Sequence, residues 1–211
     1  MSGAPRRIGL APAGSKRGWF LTDKVEDRGF GGRHEVDYWL AIAARLGGNI
    51  ERPTMEFPLR PEEIAWAGHT SPGHTGPLVV IHPGSGSYSL ARRWYAAGFM
   101  AVGRALVEEY QANVIVVGGP DERELAAGVA AGVPGALSLA GQTTLGQLGA
   151  LLQRAGLFIG NDGGPMHLAA AVGTPVVAIF GPSNQLAWGP YAPPERVRVV
   201  RADLPCSPCL Y

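Results

Sequence analysis

The stretch Gly160–Asn184, GNDGGPMHLAAAVGTPVVAIFGPSN, sets a carboxylate (Asp162), two glycines (Gly163, Gly164), a proline (Pro165) and a histidine (His167) within eight residues. The glycines keep side chains away from whatever follows. Proline fits a first helical turn, where its missing N–H costs nothing. A helix start with uncovered N–H groups attracts anions. Asp162 would repel such an anion unless it faced sugar hydroxyls beside it. His167 falls in the first turn and could face the same pocket, although a histidine so placed is often a structural residue with its bonds satisfied.

Other short loops add polar groups of the same kind. His82-Pro83-Gly84-Ser85-Gly86-Ser87 precedes Arg92-Arg93-Trp94. Glycines let backbone amides approach a phosphate, and guanidinium groups bind it bidentately. A flexible loop with solvated arginines is the plainer reading. Gly118-Gly119-Pro120-Asp121-Glu122-Arg123-Glu124 offers carboxylates that could accept from ribose hydroxyls or simply balance a helix dipole; the two roles are compatible. Phe180-Gly181-Pro182-Ser183-Asn184 is a further small-residue loop. Together these groups describe a pocket for a phosphate and a polyol, the two halves of a nucleotide sugar. The segment GSGSYS is not G-x-G-x-x-G, and no Walker A sequence occurs, so the NAD and P-loop signatures are absent.

Each of these loops follows a short apolar run. LVVIH (78–82), NVIVVGG (113–119), ALSLAG (136–141), GLFIG (156–160), PVVAIFG (175–181) and RVRVVRA (196–202) read as strands. Helices are expected between them: 94–110, one starting at Asp121 with a capping box to Glu124, one from Thr144 with a capping box to Gln147, and 165–172. Apolar strands alternating with helices predict βαβ units, a parallel sheet and an α/β, Rossmann-like doubly wound domain over residues 71–202. Ligands of such sheets bind outside the carboxyl ends of the strands. Residues 1–70 are less regular, with a short strand at 6–12, a glycine-rich loop at 28–33, a helix over 34–46 and another over 61–67; 69–77 reads as a linker, and 203–211 as a tail.

The chain has 211 residues, 46% apolar and 17% charged, with a net charge of +1. That balance gives no electrostatic case for nucleic acid or an acidic membrane surface. No run of 18 apolar residues exists, so no membrane-spanning helix is expected, and the N-terminal stretch lacks the apolar region of a secretory signal. Cys206-Ser207-Pro208-Cys209 could be half a zinc site, a redox pair or a reduced pair in a loose tail.

Several of these motifs, in order, resemble glycosyltransferase family 9, the ADP-heptose:lipopolysaccharide heptosyltransferases. They are IHPGSGSYSLARRW (81–94), VVGGPDEREL (116–125), the long segment 138–184 and WGPY (188–191). HEVDYWLAIAARLG (34–47) and LPCSPC (204–209) are similar to further family segments. The resemblance implies a GT-B fold, with this chain supplying the C-terminal donor-binding half and part of the N-terminal acceptor domain. It implies inverting transfer of heptose from ADP-heptose to a lipopolysaccharide core acceptor, without metal or cofactor. Localisation would be cytoplasmic, with peripheral contact with the inner membrane and homodimerisation through the N-terminal segment as further expectations. By carry-over Arg92, beside Arg93, stands where the family has a diphosphate-gripping lysine, and Glu122 or Glu124 where an acid holds the ribose. The backbone of Leu139–Gly141 would lie by the adenine. Asp162, Gly163, Gly164 and His167 match the family's D-T-G-x-x-H motif, with glycine replacing its threonine. Ser85 and Gly118 complete the expected donor site.

Inverting transfer needs a base for the acceptor proton. The resemblance places that base in a part of the acceptor domain outside this chain; Asp23, Glu35 and Asp37 are candidates by residue type only. The catalytic residue is therefore unassigned. Two other readings stand beside it: a nucleotide-binding module without catalysis, and another GT-B enzyme using a UDP-sugar, such as an epimerase.

Overall fold

In the computed structural model, every residue except 1–2, 15, 17, 30, 52, 71–74, 88 and 210–211 is described. The chain forms two units, one of residues 1–54 with 184–189 and one of 55–183 with 190–211. The first boundary between them falls between Thr54 and Met55.

In the first unit, β1 (Ile8–Pro12) pairs in parallel with β2 (Asp23–Asp27), Ile8 opposite Asp23 and Pro12 opposite Asp27. The second strand, DKVED, has one apolar residue and gave no sequence signal; backbone pairing with β1 makes it a strand. Helix α1 (Glu35–Arg45) starts at His34, whose Nδ1 accepts from the Val36 amide at 3.1 Å. Its Nε2 donates to the Gly189 carbonyl at 2.9 Å. Tyr38 is buried, its hydroxyl donating to the Gly29 carbonyl at 3.1 Å.

The second unit opens with α2 (Pro61–His69), with proline at its first position. Five of the six predicted sheet strands keep at least four residues: β3 (Leu78–His82), β4 (Asn113–Val116), β6 (Leu157–Asn161), β7 (Val176–Phe180) and β8 (Val197–Arg201); β5 shrinks to Leu137–Ser138. They form one sheet in the order β5-β4-β3-β6-β7-β8, with every neighbouring pair parallel. The connections are α3 (Ala96–Tyr110), α4 (Arg123–Ala131), α5 (Leu145–Arg154) and α6 (Gly164–Ala171), and α7 (Gln185–Trp188) is a single turn belonging to the first unit.

The alternating faces of the strands build two cores. Val79, Ile81, Val114 and Val116 pack with Phe99 of α3 and Ala126 and Val129 of α4. Val80, Ile115 and Phe158 pack with Leu151 and Leu152 of α5 and Met166 of α6. The chain runs outward from β3 through β4 to β5, then returns to start again at β6. The strand order reverses between β3 and β6, so their carboxyl ends part there and leave a crevice.

The helix predicted to start at Asp121 is a correction. Pro120–Glu122 form a 3-10 turn, and α4 starts at Arg123. The Glu122 carboxylate accepts from the Gly119 amide at 2.9 Å, so the expected Asp121–Glu124 capping box does not form. The Thr144–Gln147 box does form, with both reciprocal bonds present at 3.2 and 2.9 Å. Of the expected linker, residues 71–74 lie outside the described residues. Both cysteines are free thiols, and the Cys209 amide donates to the Pro182 carbonyl at 2.8 Å. Among the described residues no helix is long and apolar enough to cross a membrane, and no group of three or more His, Cys, Asp or Glu is arranged to hold a metal.

Candidate functional site

A cleft of about 450 Å³ lies in that crevice, lined entirely by residues of the second unit. His82, Ser85, Gly86 and Arg92 reach it from the end of β3; Gly118, Gly119, Pro120 and Glu122 from the end of β4; Gly141, Thr143, Thr144, Leu145 and Leu148 from the entry to α5; and Gly163, Gly164 and Pro165 from the start of α6. Its size suits a small-molecule ligand.

Glu122 organises one wall. Oε1 accepts from the amides of Ser85 at 2.9 Å and Gly86 at 2.8 Å. Oε2 accepts from the Gly119 amide at 2.9 Å and from His82 Nε2 at 3.0 Å. The Arg93 guanidinium stands 3.5 Å from Oε1. The hydrogen bond from His82, aided by the amides of Gly119 and Gly86, outweighs burial and holds the Glu122 carboxyl at about 2. The β3 loop amides expected to cradle a phosphate therefore already hold an anion, and that anion is the protein's own carboxylate.

The opposite wall is open. α6 begins at Gly164, with Gly163 before it and Pro165 after it. Among the described residues, a Cβ on Gly164 would meet nothing within 4 Å, and one on Gly163 would find its nearest neighbours at 3.9 Å. The helix N-terminus faces free space, as an anion site requires. Arg92 lines the same space: NH1 donates to Asp162 Oδ2 at 3.3 Å and NH2 to the Ser85 carbonyl at 3.3 Å. Asp162 is buried, and its carboxylate faces this guanidinium.

Asn161 joins the two walls. Fully buried, it donates from Nδ2 to the carbonyls of Pro83 and Gly84 at 2.9 and 3.0 Å and accepts on Oδ1 from the Trp94 amide at 2.9 Å. It holds the β3 loop and the approach to α3 against the end of β6.

The expected site residues are distributed as follows. Ser85, Arg92, Gly118, Glu122, Gly141, Gly163 and Gly164 line the cleft. Glu122 does so with both oxygens engaged by protein donors, and Glu124 stands on the exposed face of α4, outside the lining. Arg93 binds Ser85 Oγ at 3.3 Å behind the loop and lines a separate apolar cavity. Leu139 packs against the core; its neighbour Gly141 reaches the cleft, tied to the Gly118 carbonyl at 2.8 Å. His167 is half-buried in the first turn of α6 and is not among the lining residues. Of the base candidates, Asp23 pairs with Arg45 at 2.8 Å and Arg6 at 3.2 Å, while Glu35 and Asp37 sit in the first turn of α1. Sequence reasoning placed His82 and Asn161 in the strand-end loops but gave neither a role of its own. The available signal was a polar residue closing an otherwise apolar strand, LVVIH and LFIGN.

Comparison with known proteins agrees with this architecture. The model of glycosyltransferase family 9 (heptosyltransferase) matches residues 1–211. Lipopolysaccharide heptosyltransferase 3 of Escherichia coli is 33% identical over 174 residues, 76% of this chain and 48% of that relative. Lipopolysaccharide heptosyltransferase 1 of Pseudomonas aeruginosa is 29% identical over 181 residues, 85% and 48% of the two chains. Among solved structures, the E. coli ADP-heptose lps heptosyltransferase II covers 95% of this chain and 62% of its own, with a TM-score of 0.72 and 25% identity. A family 9 glycosyltransferase from Veillonella parvula covers 95% and 57%, with a TM-score of 0.76 and 26% identity. These neighbours have the GT-B fold. The chain spans about half the length of the curated relatives it matches.

Proposed function

Since the chain belongs to glycosyltransferase family 9, we propose that its cleft binds the ADP-linked heptose donor of an inverting, metal-independent transfer to a lipopolysaccharide core acceptor. The observation that supports this most is the open N-terminus of α6 beside Arg92. The diphosphate would rest on the amides at Gly163–Met166 and on Arg92. The nucleoside would extend toward Gly141, Thr144 and Leu148. In the transfer, an acceptor oxygen bonds to the anomeric carbon and the bond to the diphosphate breaks. ADP leaves with that electron pair, its charge stabilised by Arg92 and the helix start. The acceptor's proton goes to a base supplied by the acceptor-binding part of the enzyme, which would work in the cytoplasm.

Among the described residues, the ionisable ones lining this cleft are His82, Arg92 and Glu122. Glu122, the one carboxylate among them, is ionised and already bonded to four donors, so no carboxylate of the described lining stands free to take an acceptor's proton. That observation favours a second reading for these 211 residues by themselves: they bind the nucleotide sugar and do not complete its transfer.

Calorimetric titration with ADP and UDP tests the proposal. ADP is expected to bind in preference to UDP. Arg92→Ala should weaken ADP about tenfold or more through loss of a charge-assisted bond. Asp162→Asn should tighten ADP several-fold, roughly 1 kcal/mol, because Arg92 no longer shares its charge with a buried carboxylate. Absence of ADP binding, or indifference to Arg92→Ala, would overturn the reading.

A further inference from the structure

His82 has one ring nitrogen spoken for and one not. Its side chain is 3% exposed and lines the cleft from the carboxyl end of β3. Nε2 lies 3.0 Å from Glu122 Oε2. An ionised carboxylate only accepts, so Nε2 bears the proton of that bond. Nδ1 is buried and has no partner among the described residues. Cε1, the ring atom beside it, lies 3.9 Å from where a Cβ would stand on Gly163. A buried polar atom without a partner is uncommon, and one beside a bare helix start has an obvious candidate in whatever that helix start binds.

We propose that His82 is a binding residue for the donor's diphosphate, with Nδ1 taking up a proton and donating it to a phosphate oxygen held at the start of α6. This rests on the reading of the cleft as an ADP-sugar site and adds a residue to it. The chemistry balances simply: one proton comes from solvent, no covalent bond changes, and the imidazolium lies between two anions, Glu122 on one side and the phosphate on the other. Glu122, on the turn after β4, accepts the His82 Nε2–H. The other charged groups of the site are Arg92 and Arg93 after β3 and Asp162 after β6. Arg92 already faces Asp162 at 3.3 Å and Arg93 faces Glu122 at 3.5 Å, so the protein balances these charges in pairs. An incoming diphosphate brings the negative charge that the imidazolium matches. Glu122 then has two tasks. It occupies the amides of Ser85 and Gly86, directing the phosphates toward α6, and it fixes the ring whose far nitrogen meets them.

Two substitutions separate binding from structure. Glutamine reproduces the distal nitrogen of histidine, so His82→Gln keeps a donor for Glu122 and deletes Nδ1. Asparagine reproduces the proximal nitrogen, so His82→Asn keeps a group at Nδ1 and deletes the bond to Glu122. ADP and adenosine binding are measured by calorimetry on the full chain and both variants, together with thermal stability. ADP titrations are repeated at mildly alkaline pH in buffers of different ionisation enthalpy, where free ADP is already ionised, to count protons. The expected result is proton uptake with ADP in the unsubstituted chain. His82→Gln should lose that uptake and bind ADP roughly ten- to a hundredfold more weakly, with adenosine affinity and melting temperature close to those of the unsubstituted chain. His82→Asn should melt lower yet retain more ADP affinity than His82→Gln. ADP affinity and proton uptake unchanged in His82→Gln would overturn the inference and leave the nucleotide site standing. Losses of ADP affinity that follow the loss of melting temperature in both variants would show a structural role only and overturn it equally. Failure of the unsubstituted chain to bind ADP would remove the site and this inference together.

Discussion

At the scale of single residues, Glu122 shows why the identity of a side chain does not give its role. A glutamate near the end of a strand in a nucleotide-binding sheet reads naturally as a partner for ribose. Here two loops and a neighbouring histidine supply four donors to it, and none is encoded next to it except Gly119. Such convergence arises only when β3 and β4 lie side by side, so the sequence shows the carboxylate and not its destination. The arrangement has a pH signature. The Glu122 carboxyl is depressed from an ordinary 4.5 to about 2 in the folded chain. Its stabilising contribution is complete above its unfolded pKa and is lost as pH falls through the folded value, a window of about pH 4.5 to 2. Over that window the unsubstituted chain should lose on the order of 2–3 kcal/mol that Glu122→Gln lacks throughout. Urea melts of the two proteins at neutral and acid pH measure it. Equal pH dependence in both would mean that the carboxylate is not ionised in its bonded state.

At the scale of elements, the loops at the strand ends are shaped by what approaches them. A Cβ on Gly84 would stand 2.0 Å from Glu122 Oε1, whereas one on Gly163 would stand 3.9 Å from its nearest described neighbours, the Asn161 carbonyl and His82 Cε1. Two glycines of similar appearance in the sequence are therefore unlike in function. Gly84→Ala should cost about 2 kcal/mol or more, because the buried carboxylate must move off its amides. Gly163→Thr should leave stability within about 0.5 kcal/mol and place a hydroxyl beside the helix start, where the family motif has one, with ADP affinity equal or higher. Thermal melts and ADP titrations of the two variants check both expectations. Substantial unfolding in Gly163→Thr would show that the open space at α6 is not free. The strands and helices themselves were largely legible, because parallel strands buried on both faces must be apolar runs. β2 was not, since DKVED pairs through its backbone against β1 with little apolar content. The start of α4 was misread because Pro120 begins a tight turn one residue ahead of Asp121, and the inward pull on Glu122 then sets the helix origin.

At the scale of the whole molecule, every lining residue of the cleft belongs to the second of the two units, so the proposed ligand site is contained in that unit. The parallel sheet was readable from alternation of strand and helix, and the place of the cleft follows from the reversal of strand order between β3 and β6. What the sequence left open was which strand-end loop takes the anion, since both the β3 loop and the start of α6 are rich in glycine. In the structure the two differ by charge: the β3 loop amides face Glu122, and the α6 start faces space, which supports the α6 start as the proposed anion site. Hydrogen exchange on the full chain, with and without ADP, turns that difference into a measurement. A ligand at a hundred times its dissociation constant adds about 2.7 kcal/mol to the stability of the unit that binds it, slowing amides that exchange through its opening roughly a hundredfold. Residues 1–54 should be unaffected. Within the second unit, the largest local gain is expected at 163–166. A smaller gain is expected at 85–86, whose amides are bonded before ADP arrives. The reverse ranking would mean that ADP displaces Glu122 from the β3 loop and that the diphosphate lies where the carboxylate now sits.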